Sequence, residues 1–141
     1  MAKKDPLRFG NIILCSDILV EINRKISAIG MFTNDILVSG FPAPVRLALY
    51  VEAFPPDGEK HEINFSVLFN DEQAVEMRGT LEGGVKGQPV PIMLPQFEVV
   101  LPGEVELKIV ATINSGRSMP IVTKKILKGD LPQMHNIVPP A

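Results

Sequence analysis

Thirteen prolines and eleven glycines break this 141-residue chain into short apolar runs. Proline fixes φ and removes a backbone donor, and glycine is entropically costly inside regular structure. A chain punctuated this closely has little room for long helices. Short apolar runs bounded by turn residues are the signature of many strands.

Two runs show the period-2 alternation of a half-buried strand. In Val105 to Ile113, the residues Val105, Leu107, Ile109, Ala111 and Ile113 share one face, between Pro102-Gly103 and the turn Asn114-Ser115-Gly116. In Glu62 to Asn70, Ile63, Phe65, Val67 and Phe69 share one face, and Glu62, Asn64, Ser66 and Asn70 the other. A third strand is expected over Val45 to Phe54, with Leu47, Leu49, Val51 and Ala53 inward. Pro55-Pro56-Asp57-Gly58 would turn it into Glu62 to Asn70 as a hairpin. Further strands are expected over Gln96 to Leu101, over Met119 to Leu127 paired with Val105 to Ile113, over Val75 to Leu81, and over Ile36 to Val38. Gly79, Gly83, Gly84 and Gly87 read as part of a mobile hairpin loop and match neither phosphate-binding glycine pattern.

The segment from Ile12 to Phe32 admits two readings. Ile18, Ile22, Ile26 and Ile29 are spaced by four, four and three, which fits one face of a helix. Against that, β-branched residues dominate and Asn23-Arg24-Lys25 resembles a turn tip. A hairpin of Ile12 to Ile22 with Lys25 to Phe32 is the preferred reading. Together these runs predict an all-β, antiparallel β-sandwich of immunoglobulin-like or C2-like type, with about eight or nine strands. Residues 1–129 form the single domain, and 130–141 a proline-rich tail.

Composition narrows the function classes. With 45% apolar and 21% charged residues, the chain belongs with globular domains, not disordered ones. A net charge of −2 gives no basic face for nucleic acid, and Lys3, Lys4 and Arg8 read as a solvated terminus. One cysteine, Cys15, excludes an intramolecular disulfide. The first residues lack the apolar core of a signal peptide, and no stretch approaches the roughly 20 apolar residues of a membrane span. The expected location is the cytoplasm, where the glycosylation-like Asn64-Phe65-Ser66 has no meaning.

Catalytic and metal chemistry are weakly represented. His61 reads as a surface residue after a charged turn, His135 lies in the tail, and Cys15 sits in an apolar run where a thiol is inert. A Cys15–His61 pair would be the candidate nucleophile and base. There is no Cys/His cluster with zinc spacing, so no cofactor or metal is expected. Asp57 with Glu59, and Asp71 with Glu72, are the turn carboxylates that could contribute to a calcium site. Candidate partner-binding residues are Arg46, Tyr50, Glu52 and Phe54 on the outer face of Val45 to Phe54, and Met134, Ile137 and Val138 in the tail.

The chain also resembles a family of small uncharacterised bacterial cytoplasmic proteins. The resemblance is carried by Ile13-Leu14-Cys15-Ser16-Asp17, by Asn23-Arg24-Lys25 leading into Ile26-Ser27-Ala28-Ile29-Gly30-Met31-Phe32, by Phe41-Pro42-Ala43-Pro44, by Leu47-Ala48-Leu49-Tyr50-Val51, and by Leu101-Pro102-Gly103-Glu104-Val105. Ser16 stands where some members carry an acidic residue, which argues against a paired-carboxylate site around Asp17. The resemblance implies a β-sandwich with an N-terminal hairpin and supplies no activity. The function expected is a non-enzymatic protein-binding or assembly module, its partner a second copy or another protein. One alternative is a structural subunit of a larger particle, such as a phage or secretion assembly, using the tail. Another is a small-ligand-binding domain or enzyme using Asp17, Cys15 or His61.

Overall fold

The computed structural model describes residues 7–23, 25–32, 35–83, 85 and 87–129. Among them there are ten strands and no helix. They are β1 (Arg8–Cys15), β2 (Asp17–Val20), β3 (Ile26–Ile29), β4 (Ile36–Val38), β5 (Ala43–Phe54), β6 (His61–Phe69), β7 (Glu72–Leu81), β8 (Val90–Leu101), β9 (Glu106–Ile113) and β10 (Ser118–Lys128). A three-stranded sheet has the order β1-β5-β8, a five-stranded sheet the order β4-β10-β9-β6-β7, and β2 and β3 form a hairpin of their own.

The alternating residues of both larger sheets bury into one shared core. Leu47, Leu49, Val51 and Ala53 of β5 join Ile63, Phe65 and Val67 of β6 and Leu107, Ile109 and Ala111 of β9 in a single apolar cluster. Phe9 on β1 and Phe65 on β6 link the two sheets directly. Their ring centroids lie 6.4 Å apart with the planes tilted by 54°, within the range of favourable aromatic pairs.

Two tight turns fix the five-stranded sheet. Asn70-Asp71 connects β6 to β7, and Asn114-Ser115 stands in the turn from β9 to β10, all four residues at positive φ. Two consecutive positive φ values define the primed turn that matches the twist of a hairpin. Each asparagine also reaches across to a neighbouring strand. The Asn70 amide donates to the Glu106 carbonyl, and its Oδ1 accepts from the Glu106 amide. Asn114 makes the same pair of bonds with Glu62. Because β6 and β9 are antiparallel neighbours, these two clamps close both ends of one ladder.

Several expectations need correction. The proposed hairpin of β5 with β6 does not form: β5 pairs with β1 and β8, while β6 pairs with β7 and β9. A Pro55-Pro56 step cannot supply the positive φ of a tight hairpin, and this segment carries the chain from one sheet to the other. The link after Leu81 does the same, so it is not a hairpin loop, and Gly79 lies inside β7. β8 begins at Val90, upstream of the expected start at Gln96, and runs through Pro91 and Pro95. Its position at a sheet edge removes the need for their missing donors. The sheets are not wholly antiparallel, because the short β4 runs parallel to β10.

Between Ile12 and Phe32 the described chain is extended, as the hairpin reading requires, and not helical. The hairpin proper is shorter than expected. β2 pairs with β3 from Asp17↔Ile29 to Val20↔Ile26, whereas Ile12 to Cys15 belong to β1 and pair with β5. The break at Ser16 thus makes two strands of one expected run, which is why the strands number ten and not about eight or nine. Lys3 and Lys4, and the tail with Met134, His135, Ile137 and Val138, lie outside the described residues.

Candidate functional site

The residues singled out for chemistry fall in separate places. Cys15 ends β1, fully buried, with its Sγ 3.4 Å from the Asp17 carbonyl and 3.6 Å from the Ala48 carbonyl. Burial pushes the thiol above its ordinary range, and the charge of Asp17 adds to this, which suppresses the reactive thiolate. Asp17 Oδ1 accepts from the Ile18 amide at 2.8 Å. His61 begins β6 in the other sheet, and its ring partners are Asp57 and Asn114. Cys15 and His61 are therefore not a pair.

His61 is not the surface residue expected from the sequence; only 8% of it is exposed. Its burial is made tolerable by full hydrogen bonding. Asn114 turns its oxygen to the Glu62 amide at 2.8 Å, so its Nδ2 faces the ring and donates to Nδ1 at 3.2 Å. Nε2 then carries the proton and donates to Asp57 Oδ1 at 2.8 Å. Asp57 Oδ1 also accepts from the Glu59 amide at 3.1 Å. These bonds tie the sheet-to-sheet link to the β9–β10 turn. Asp57 and Asn114 together occupy both ring nitrogens.

The carboxylates considered for calcium do not converge. Asp57 faces His61, and Asp71 faces Lys108 Nζ at 3.2 Å. Among the described residues no group of three or more His, Cys, Asp or Glu side chains is placed to hold a metal. Nor is any helix among them long and apolar enough to cross a membrane.

On the outer face of the five-stranded sheet, Glu62, Asn64, Arg78, Thr80, Thr112 and Ser115 line a shallow cavity of about 350 Å³. Asn64, Arg78 and Thr112 of this lining are bonded to neighbours beside it. Glu76 Oε1 accepts from Asn64 Nδ2 and Arg78 Nε, each at 2.9 Å, and Thr112 shares a hydrogen with Ser118. The Arg78 and Gln73 contacts hold the Glu76 carboxyl below its ordinary range. Asn64 Oδ1 lacks a hydrogen-bond partner among the described residues and is closed off from solvent.

The outer face of β5 places the four expected contact residues along one strand. Arg46 is exposed, and Tyr50, Glu52 and Phe54 are half-buried. Tyr50 donates its hydroxyl to Glu52 Oε1 at 3.2 Å, and the same oxygen accepts from Asn11 Nδ2 at 3.1 Å. Partial burial and the Glu52 charge raise the Tyr50 hydroxyl above its ordinary range. Phe54 lies over Gly10, where a Cβ would sit 2.6 Å from the ring. Glycine lets the ring approach the backbone this closely, and any side chain at that position would displace it.

The surface not expected from the sequence is the β2–β3 hairpin. Its cross-strand pair Val20 and Ile26 is exposed on one face, and Leu19 and Ile29 are exposed on the other. Ile22 at the tip is wholly exposed, and Met31 follows β3 at 54%. A two-stranded ribbon that shows large apolar groups on both faces has no folded-state reason to do so. Its base is nevertheless fixed. The Ser16 amide donates to the Ile29 carbonyl at 2.9 Å, the Ser16 carbonyl accepts from Gln96 Nε2 at 2.9 Å, and Gly30 takes a φ of 69° beside the Ser16 hydroxyl. Near the tip, Asn23 Oδ1 accepts from the Lys25 amide at 3.2 Å. A signal for this surface is present in the sequence. Ile18-Leu19-Val20 are consecutive apolar residues, so no single face of a strand could bury all three.

No protein-family model and no curated protein sequence matches this chain.

Proposed function

We propose that this chain is a non-enzymatic protein-binding or assembly module acting in the cytoplasm, and that the β2–β3 hairpin is its principal contact. The observation that carries this reading is the exposure of Leu19, Val20, Ile22, Ile26, Ile29 and Met31 on a ribbon anchored at its base. Apolar side chains clustered on an exposed element are the usual core of a protein–protein contact. β2 also lies against β5, so Arg46, Tyr50, Glu52 and Phe54 would extend the contact along the adjoining sheet face.

The same reading takes the shared core of the two larger sheets as a β-sandwich of immunoglobulin-like or C2-like type. It keeps the kinship with the small bacterial proteins as the expected origin. Use of the tail in a larger particle is a variant of this proposal, which truncation after Gly129 would separate.

The test is affinity purification of the tagged protein from its native cells, in parallel with Val20→Asp and Ile22→Asp variants of unchanged melting temperature. A stoichiometric protein that co-elutes with the parent and is lost from both variants is the expected result. A partner retained by both variants would remove the hairpin from the contact.

A further inference from the structure

The backbone itself offers a second, independent surface. Unpaired strand edges are templates for another strand, and the edges here differ. β8 is blunted by Pro91 and Pro95. β4 is only three residues long. β1 has a bulge between Gly10 and Ile12, and its Leu14 carbonyl is taken by the Phe32 amide. Of the edges of the two larger sheets, β7 is the least protected. It is a ten-residue strand without proline at the end of the five-stranded sheet, hydrogen-bonded to β6 alone among the described residues. Its one irregularity falls at Ala74, near the turn from β6, and leaves Val75 to Leu81 in unbroken register.

The charges on β7 select an occupant. Val75, Met77 and Gly79 stand opposite the core residues Val67, Phe65 and Ile63, so they belong to the inward face. Glu76, Arg78 and Thr80 belong to the outward face. A second β7 continuing the sheet across a twofold axis must run antiparallel, with opposed residues on the same face. If Met77 lies on the axis, Glu76 faces Arg78 of the second copy and Arg78 faces its Glu76, which would join the Arg78–Glu76 pair already present in each copy into one alternating network of four charges. Moving the axis one residue either way sets Glu76 against Glu76 or Arg78 against Arg78. Opposite charges across a pair stabilise it and like charges disfavour it, so the sequence favours the Met77 register over both of its neighbours. The half-buried Val75 and Met77 would be covered by the same pairing.

We infer that β7 is the dimerisation edge of this protein: two copies join through Val75 to Gly79 with Met77 on the twofold axis, so that their five-stranded sheets become one continuous sheet.

Sedimentation of the full chain from micromolar to millimolar concentration should show a reversible monomer–dimer equilibrium. Glu76→Arg and Arg78→Glu should each weaken it by about tenfold or more, because each sets like charges opposite one another. The exchanged pair Glu76→Arg with Arg78→Glu should restore it to within about threefold. Met77→Cys should form a disulfide-linked dimer on mild oxidation, since residues opposed across an antiparallel pair lie within bridging distance; Val75→Cys, opposite Gly79, should not. A chain that stays monomeric throughout, or a dimer that tolerates both single charge variants, or one broken only by Ile22→Asp on the hairpin, would overturn the inference. The cross-linking arm decides the matter if a charge variant fails to fold.

Discussion

In β9, Leu107, Ile109 and Ala111 are buried, while Glu106, Lys108, Val110 and Thr112 on the opposite face lie outside the core. In the β2–β3 hairpin, Leu19, Val20, Ile26 and Ile29 are just as apolar and remain exposed. The two regions differ in pattern, not in residue type. A strand has two faces, and β9 gives only one of them to the core. The hairpin puts apolar groups on both and lies outside the core cluster, so a large part of each stays exposed. Apolar content therefore marks burial only where it keeps the period of the element; where it breaks that period, part of it stays exposed.

The sharpest way to break this contrast is at Phe65, which packs against Phe9 with 1% exposure. Phe65→Ala should cost about 3–5 kcal/mol in denaturant unfolding. A loss as small as that of a hairpin variant would mean the core is not where the alternation puts it. Next are the clamps. Asn70→Ala and Asn114→Ala should each cost about 1–3 kcal/mol, since each leaves a strand-end amide unpaired and forces alanine into a left-handed turn. Asn114→Ala should cost more than Asn70→Ala, because it also strips a partner from the His61 ring.

A smaller effect concerns pH. The folded Cys15 thiol ionises above its unfolded counterpart. Its contribution to stability is complete below the unfolded value and is lost as pH rises through the folded one. Melting temperature should therefore fall from neutral to alkaline pH, and the fall should be shallower in Cys15→Ala. Tyr50, also raised, acts in the same direction at still higher pH. The smallest expected effect completes the comparison. Ile22→Asp at the hairpin tip should change stability by no more than about 0.5 kcal/mol, and a chemical melt that shows a larger loss would place Ile22 in the folded core after all.

Much of the fold is legible in the sequence. Its pattern places β4 at the observed bounds, and β6, β9 and β10 within a residue at each end, because each alternates or is bounded by turn residues. The β9–β10 hairpin follows from the turn at Asn114, where local φ preferences decide the outcome. The candidate contact surface is less legible. The isoleucines around Asn23 are plain in the sequence, but their spacing does not say whether they are buried. His61 reads as solvated for a similar reason: its partner Asn114 lies 53 residues away along the chain.

Local chemistry thus determines what each segment becomes. Proline and glycine set the strand lengths, paired asparagine-led turns set two hairpins, and alternation chooses the inward faces. Which strand lies beside which is a tertiary decision. β5 and β6 carry equally good inward faces, and a face is satisfied by any apolar surface of the right shape, so the pattern does not name its neighbour. The double-proline link sends them to different sheets, and packing of the two sheets on one core then fixes β7 at an open edge and leaves much of the β2–β3 hairpin exposed. Non-directional burial makes strands predictable one at a time, while pairing depends on connections and closure that exist only in the assembled chain.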